Sequence, residues 1–202
     1  LYAIIAGDKR AAERFDAEFK SFFSTIEDFM WFRLSVIRKD SGSSGSSEAY
    51  TIGHLQAHLS LFSPAYYSRN GREPLLYVIV LLLSQQFEKA VEYLSEQKNE
   101  HATMYRLEAV HLALALIHSG LIQAGTEEDL QGHAPQILAD FAYSLALQEP
   151  AIALEYLYAL YVPTSNQASS ALHSPFGGAV RALLVRTMNV EQLFTGTVPL
   201  GR

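Results

Sequence analysis

The sequence predicts an all-α fold, an irregular α-helical solenoid of stacked antiparallel helices that is a segment of a larger protein. Along most of the chain, apolar residues recur at spacings of three and four, which is typical of helices with one buried face. The run Leu75–Leu83 is apolar on every side, so as a helix it must be surrounded by neighbouring helices. Strand alternation between hairpin turns and a strict repeat are both missing, which argues against a sheet and against a repeat array of fixed period.

The N-terminal part is predicted to hold two amphipathic helices. Between Asp8 and Phe23, phenylalanines share one side and charged residues fill the other, so this helix is expected to pack on the next one. Ser24 and Glu27 have the spacing of a capping box, which predicts a helix start. Trp31, the only tryptophan of the chain, is interpreted as a core or inter-helix anchor, and the alternative is a ligand platform.

A flexible Ser/Gly linker is predicted at residues 40–48. The stretch Asp40–Ser47 reads DSGSSGSS, a composition that cannot bury apolar surface. It is either a natural loop or an engineered replacement for a longer loop. Residues 1–202 are therefore predicted to form a single α-solenoid segment with this linker inside it.

The rest of the chain is predicted to alternate helices with polar breaks. Ser84-Gln85-Gln86 separates an inner apolar rod from a one-faced helix, and Ser119-Gly120 has the composition of a helix C-cap. Prolines mark other helix starts. The predicted helices cover Tyr50–Phe62, Pro74–Leu83, Phe87–Leu94, Ala102–His118, Ala134–Leu145, Pro150–Tyr161 and Ala179–Met188.

Composition excludes several classes of function. The net charge is −6 and there is no long basic run, so we expect no direct nucleic-acid binding. The absence of cysteine excludes disulfides and thiolate metal sites and fits a reducing compartment. As a helix, the longest apolar run would extend about 14 Å against a hydrocarbon core of about 30 Å. We therefore expect no transmembrane segment, and any membrane association would be indirect.

The sequence contains no recognisable catalytic, cofactor-binding or metal-binding pattern. His54 and His58 have a spacing that can place two imidazoles on one metal, but Leu55 stands where zinc proteases carry a glutamate. His111 and His118 are interpreted as core histidines. The phosphate-binding patterns GxxxxGK[ST] and GxGxxG and the nucleophile pattern GxSxG are all absent, so we expect no enzyme, no cofactor and no metal.

Three stretches resemble a known family. They are the acidic-aromatic start Glu27-Asp28-Phe29-Met30-Trp31, the junction Gln86-Phe87-Glu88, and the run Ala109-Val110-His111-Leu112-Ala113. On these stretches, residues 26–161 resemble the nucleoporin-interacting component family, the large inner-ring scaffold nucleoporins of the nuclear pore complex. All three are packing motifs and carry no catalytic chemistry.

The resemblance implies a structural scaffold subunit of the inner ring, located at the nuclear pore complex in the nuclear envelope, that supports pore assembly and the transport of protein and mRNA. Its implied partners are other nucleoporins, namely short motifs of linker nucleoporins and neighbouring scaffold subunits, which a solenoid would bind in grooves between helices. The alternative is a helical-repeat scaffold subunit of a vesicle coat or regulatory complex, by fold analogy alone. The candidate protein-binding residues are exposed apolar positions of the C-terminal helices, Tyr156, Tyr158, Tyr161 and Phe176.

Overall fold

The computed structural model describes residues 7–18, 23–38, 49–98, 101–123, 132–160 and 175–188. These residues form α-helices and a single antiparallel bridge between Asp8 and Ala49, with no β-strand among them. The helices are α1 (Lys9–Glu18), α2 (Ile26–Val36), α3 (Ile52–Leu59), α4 (Pro64–Tyr67), α5 (Pro74–Leu83), α6 (Phe87–Ser95), α7 (Ala102–His118), α8 (His133–Leu145), α9 (Pro150–Tyr158) and α10 (Pro175–Thr187). The predicted all-α class is confirmed.

The chain folds as two units, Leu1–Gln86 and Phe87–Arg202. The first unit holds helices α1 to α5 and the second holds α6 to α10. That residues 1–202 act as a single solenoid segment stays a prediction, and the Ser/Gly linker at 40–48 lies outside the described residues.

In the second unit, each helix packs against the next one along the chain. The contacts run from α6 to α7, α7 to α8, α8 to α9 and α9 to α10, and α8 also contacts α6. Many of the buried positions in this unit hold small side chains, the alanines Ala90, Ala109, Ala113, Ala134, Ala139, Ala142, Ala146, Ala153 and Ala179. Helices with alanine at the contact can approach closely, and packing between chain neighbours is the pattern of a solenoid.

Helix α8 begins where Glu88 of α6 reaches its N-terminus. The Oε2 atom of Glu88 accepts hydrogen bonds from the backbone N–H groups of His133 and Ala134, both at 3.1 Å. Gly132 has a φ of 93°, and a Cβ atom there would lie 2.5 Å from Oε1 of Glu88, so this position requires glycine. The carboxylate pairs two otherwise unsatisfied donors and complements the helix dipole, which gives the Gln86-Phe87-Glu88 motif a structural role.

The core of the first unit is built mainly from large aliphatic and aromatic side chains. Its buried members are Ala12, Met30, Val36, Tyr50, Leu55, Leu59, Tyr67 and Val80. Helix α1 joins this core through Ala12, which is fully buried, and through Phe15, whose ring lies 5.1 Å from that of Phe32 in α2. The predicted packing of the first amphipathic helix on the second is therefore observed.

Backbone hydrogen bonds hold together the residues on either side of the linker. The N–H of Arg38 donates to the carbonyl of Tyr50 at 2.9 Å, and the N–H of Tyr50 donates to the carbonyl of Gly7 at 2.8 Å. Gly7 has a φ of 80°, and a Cβ atom on it would overlap the side chain of Arg38. Both ends of residues 39–48 are thus fixed by contacts made outside that segment.

Most predicted helix boundaries agree with the structure, and others differ by three residues or more. Helix α9 ends at Tyr158, three residues before the predicted end at Tyr161. Helix α7 has the predicted ends, and α5 and α9 start at the predicted prolines. The helix predicted over Tyr50–Phe62 stops at Leu59, and a further short helix starts at Pro64. Helix α10 starts at Pro175, four residues before the predicted start at Ala179. In both cases proline occupies the first helical turn, where its missing N–H costs nothing.

Candidate protein-binding groove

Helix α5 shows one apolar stripe to solvent. Leu75, Ile79 and Leu83 are 49%, 47% and 42% exposed, whereas Val80 between them is buried. The three exposed residues are four positions apart and so lie on one face. The prediction that neighbours surround this helix on all sides is therefore wrong. Because its sequence is apolar throughout, no difference between faces could indicate which one is left uncovered.

The exposed stripe forms one wall of a groove, and α2 forms the other. The groove has a volume of about 180 Å³. Its lining residues are Ile26, Glu27, Met30, Trp31 and Leu34 from α2, and Leu76, Ile79, Val80 and Leu83 from α5. All but Glu27 are apolar. An open apolar groove between two helices is a shape into which an amphipathic segment can place its apolar side chains.

Trp31 stands at the edge of this groove and is 74% exposed. The interpretation of Trp31 as a core anchor is therefore wrong, because α2 turns Met30 and Arg33 inward instead. A large exposed aromatic side chain beside an apolar groove is the kind of residue that contributes most to binding energy in protein interfaces. The observed position fits the alternative interpretation, a platform for a ligand.

The inner side of α2 is held by a buried arginine. Arg33 is 1% exposed, and its guanidinium carbon lies 5.4 Å from the ring centre of Phe29 and 5.0 Å from that of Tyr50. Burial lowers the pKa of Arg33 and raises the pKa of Tyr50. Phe29 belongs to α2 itself, so the contact that bears on the rotation of this helix is the one between Arg33 and Tyr50. In this rotation Trp31 lies on the exposed side of the helix. The sequence did not indicate this role of Arg33, because a charged residue in a helix is ordinarily exposed.

The histidines that were considered as ligands have other surroundings. The N–H of Thr51 donates to Nδ1 of His54 at 3.1 Å at the start of α3, and the ring of His58 lies 5.6 Å from that of Phe29. His111 and His118 are exposed, so their interpretation as core histidines is wrong. In the part of the chain that the structure describes, no group of three or more His, Cys, Asp or Glu residues could hold a metal ion. None of the described helices has the length and apolarity needed to cross a membrane.

The predicted binding residues that the structure describes take part in two separate contacts in the second unit. Tyr158 is 62% exposed, and its ring meets that of Phe176 edge to face at 5.9 Å, which joins α9 to α10. Tyr156 is partly buried and belongs to a different contact, with its ring 5.0 Å from Phe141. Tyr161 lies outside the described residues. A binding role for these four residues stays a prediction.

The consecutive packing of helices in the second unit, together with the interhelical groove in the first, defines the class of this chain as an α-helical solenoid segment. Residues 1–198 match the family model described as Nup93/Nic96. The chain therefore belongs to the Nup93/Nic96 family of nucleoporins, and the family resemblance seen in the sequence is confirmed.

Named relatives come from plants, vertebrates and fungi. Nuclear pore complex protein NUP93B of Arabidopsis thaliana is 39% identical over 132 residues, which cover 62% of this chain and 15% of the relative. Nuclear pore complex protein Nup93 of Xenopus tropicalis is 27% identical over 183 residues, which cover 83% of this chain and 21% of the relative. Nucleoporin NIC96 of Saccharomyces cerevisiae is 27% identical over 140 residues, which cover 66% of this chain and 15% of the relative. The chain thus spans about a fifth or less of the length of these relatives.

Proposed function

We propose that this chain is a structural segment of an inner-ring scaffold nucleoporin of the nuclear pore complex, which holds other nucleoporins by receiving short apolar segments between its helices. Membership of the Nup93/Nic96 family supports the assignment to the pore, as do the names of the relatives. The observation that carries the binding mode is the apolar groove between α2 and α5. We assign the chain no catalytic role.

The exposed apolar surface favours a partner. Trp31, Ile79 and Leu83 are each more than two-fifths exposed and line the same groove. A contiguous apolar surface commonly marks an interaction site, since leaving it in water costs free energy that a partner would recover.

The groove is also preformed. One wall, α2, is held by the packing of Arg33 against Tyr50 outside this helix, and in the other wall Val78, Val80 and Leu81 are buried. A ligand segment would therefore not need to order the groove before binding it. Preorganisation of one partner lowers the entropic cost of association, which matters for a short motif that must itself become ordered.

The test is a charge placed in the groove of the full-length protein. Ile79→Glu introduces a carboxylate at a position 47% exposed, where the fold can accept it but an apolar ligand cannot. We expect loss of one or more co-purifying nucleoporins and weaker recruitment to the nuclear rim. The matched control is Leu61→Glu, at a position of the same unit that is 75% exposed and does not line the groove.

Circular dichroism and thermal unfolding of both variants establish that the fold is kept. If Ile79→Glu retains every co-purifying nucleoporin and normal rim recruitment, the groove is not the binding site and the proposed mode is wrong. Co-purification of vesicle-coat subunits with the wild-type protein, in place of nucleoporins, would contradict the assignment to the pore.

A further inference from the structure

The groove contains one charged residue, Glu27, whose position indicates the chemistry of the partner segment. We propose that the groove binds an amphipathic helix of a partner protein that inserts one apolar anchor and carries a lysine or arginine about one turn from it. This inference rests on the proposed function, since it specifies the occupant of the same groove.

Glu27 takes no part in capping its own helix. The predicted capping box between Ser24 and Glu27 does not form, because the N-cap is Thr25, whose Oγ1 accepts the N–H of Asp28 at 3.1 Å. The hydroxyl of Ser24 donates to Oδ2 of Asp28 at 3.4 Å. With the cap one residue later than predicted, Asp28 takes the third helical position that a capping-box glutamate would occupy.

Within the described residues, the carboxylate of Glu27 has neither a hydrogen bond nor an ion pair. It lines a groove in which the other lining residues are all apolar. Both carboxylates of the first turn can complement the helix dipole, but that role does not require either of them to face the groove. Glu27 is thus a negative charge at the entrance of an apolar site.

Trp31 lies four residues after Glu27 and so occupies the same face of α2. A carboxylate and an exposed indole side by side can both attract one cation, the first by its charge and the second by its ring face. Lysine and arginine also have long apolar stems that can lie along an apolar wall while the charged head stays at the surface. A basic residue of the partner would therefore satisfy both Glu27 and Trp31.

The size of the groove limits the anchor to one side chain. A cavity of roughly 150 Å³ can take up a benzene molecule, and this groove has about 180 Å³. One leucine-sized or phenylalanine-sized side chain therefore fits in the groove. The anchor would supply most of the affinity and the charge would supply selectivity, because an exposed ion pair changes affinity only about twofold to fivefold.

The experiment is a selection of helical peptides on two forms of the 202-residue chain. A displayed library of amphipathic helices, randomised at the anchor and at the positions around it, is selected in parallel on the wild-type chain and on Glu27→Lys. Selected peptides are made without tryptophan and titrated by the fluorescence of Trp31, the only tryptophan of the chain. Glu92→Lys, an exposed site on α6, makes the same change in net charge and is the matched control.

We expect wild-type selections to carry lysine or arginine about one turn from the anchor and Glu27→Lys selections to carry aspartate or glutamate there. Each peptide should bind the other form at least about fivefold more weakly, and this difference should shrink with added salt. Binding to Glu92→Lys should match the wild type. Ile79→Glu should abolish binding of both peptide classes.

One contrary result is that the selected peptides fail to bind Ile79→Glu and yet carry no charge near the anchor, or carry the same charge whether they were selected on the wild-type chain or on Glu27→Lys. That result would overturn the charge inference, while the proposed groove would remain supported. Failure to obtain any peptide sensitive to Ile79→Glu would overturn both proposals. Concentration-dependent dimerisation of the wild-type chain that Trp31→Ala abolishes, measured by analytical ultracentrifugation, would show a second copy as the occupant and would also overturn the inference.

Discussion

The two units bury different kinds of side chain, and only the first has a groove to which we assign a role. Each described helix of the second unit contributes a buried alanine, whereas in the first unit Ala12 is the sole buried alanine among the residues whose burial is described. The first unit fills its core with Met30, Tyr50, Tyr67 and the guanidinium of Arg33 instead.

This difference in buried side chains shows how one helical chain can provide both rigidity and a binding surface. Alanine at successive contacts brings helices close together and leaves little space between them. Large and branched side chains keep helices further apart, and a groove such as that between α2 and α5 stays open where no further helix among the described residues covers the gap. The proposed binding groove therefore belongs to the unit with the larger buried side chains.

The largest expected effect comes from truncating the same residue type in each unit. Leu138 of α8 is fully buried, so Leu138→Ala should lower the free energy of unfolding by about 2–5 kcal/mol. Leu83 of α5 is 42% exposed, and Leu83→Ala should cost less than about 1.5 kcal/mol. Urea unfolding of both variants measures the two losses in free energy of unfolding. Equal losses would mean that Leu83 is covered and that the groove is not free.

Enlarging an alanine tests the close packing of the second unit. Ala113 of α7 is fully buried, so Ala113→Leu should lower the free energy of unfolding by about 1–3 kcal/mol through overpacking. Ala115 lies on the same helix and is exposed, so Ala115→Leu should change stability by no more than about 0.5 kcal/mol. If thermal unfolding shows the two variants to be alike, the helices are not closely packed at this contact.

Removing the cap between α6 and α8 should have an intermediate effect. Glu88→Ala leaves the N–H groups of His133 and Ala134 without their acceptor, which should lower the free energy of unfolding by about 0.5–2 kcal/mol. Glu92→Ala removes an exposed carboxylate from the same helix and is the control. A loss for Glu88→Ala no larger than for Glu92→Ala, by urea unfolding, would show that the capping contact adds no stability.

The first unit should carry a pH dependence through His58. Burial, and secondarily the charge of Arg33, lower the pKa of His58 below its ordinary value of 6.5. The unfolded chain then binds more protons than the folded chain below about pH 6.5, so this contribution to stability is present above that pH and is lost as the pH falls through the lower folded pKa. Unfolding free energies at pH 8 and pH 5 should differ less for His58→Gln than for the wild type. An unchanged difference would exclude His58 as the source.

The smallest expected effect concerns the Ser/Gly linker. Because Arg38 and Tyr50 are hydrogen-bonded to each other, the ends of residues 39–48 are already joined, and doubling the length of that segment should cost only about 0.6 kcal/mol. Thermal unfolding of a chain with extra Gly and Ser residues inserted after Ser44 measures this cost. A loss of several kcal/mol would show that the linker itself stabilises the first unit.

Much of the fold could be predicted from local sequence signals. Prolines placed the starts of α5 and α9, and Gly120 marked the end of α7, where it has a φ of 70°. These signals act within one turn of helix and need no tertiary information. The candidate groove was not predicted, because the proposed binding residues were sought among exposed tyrosines of the second unit. Two features of the sequence could have indicated the groove: the chain has a single tryptophan, and α5 is too apolar to be covered by one neighbouring helix.

The sequence by itself determined the all-α class, the family and most helix boundaries, because hydrophobic spacing, proline and glycine act locally along the chain. Only the tertiary structure decided which sides of α2 and α5 face solvent. Helix α5 is apolar all round and has no preferred inner face, and α2 carries apolar residues on several sides, so their rotation depends on which neighbours they meet. For α2, the burial of Arg33 against Tyr50 is part of that choice, and it leaves Trp31 at the edge of the groove.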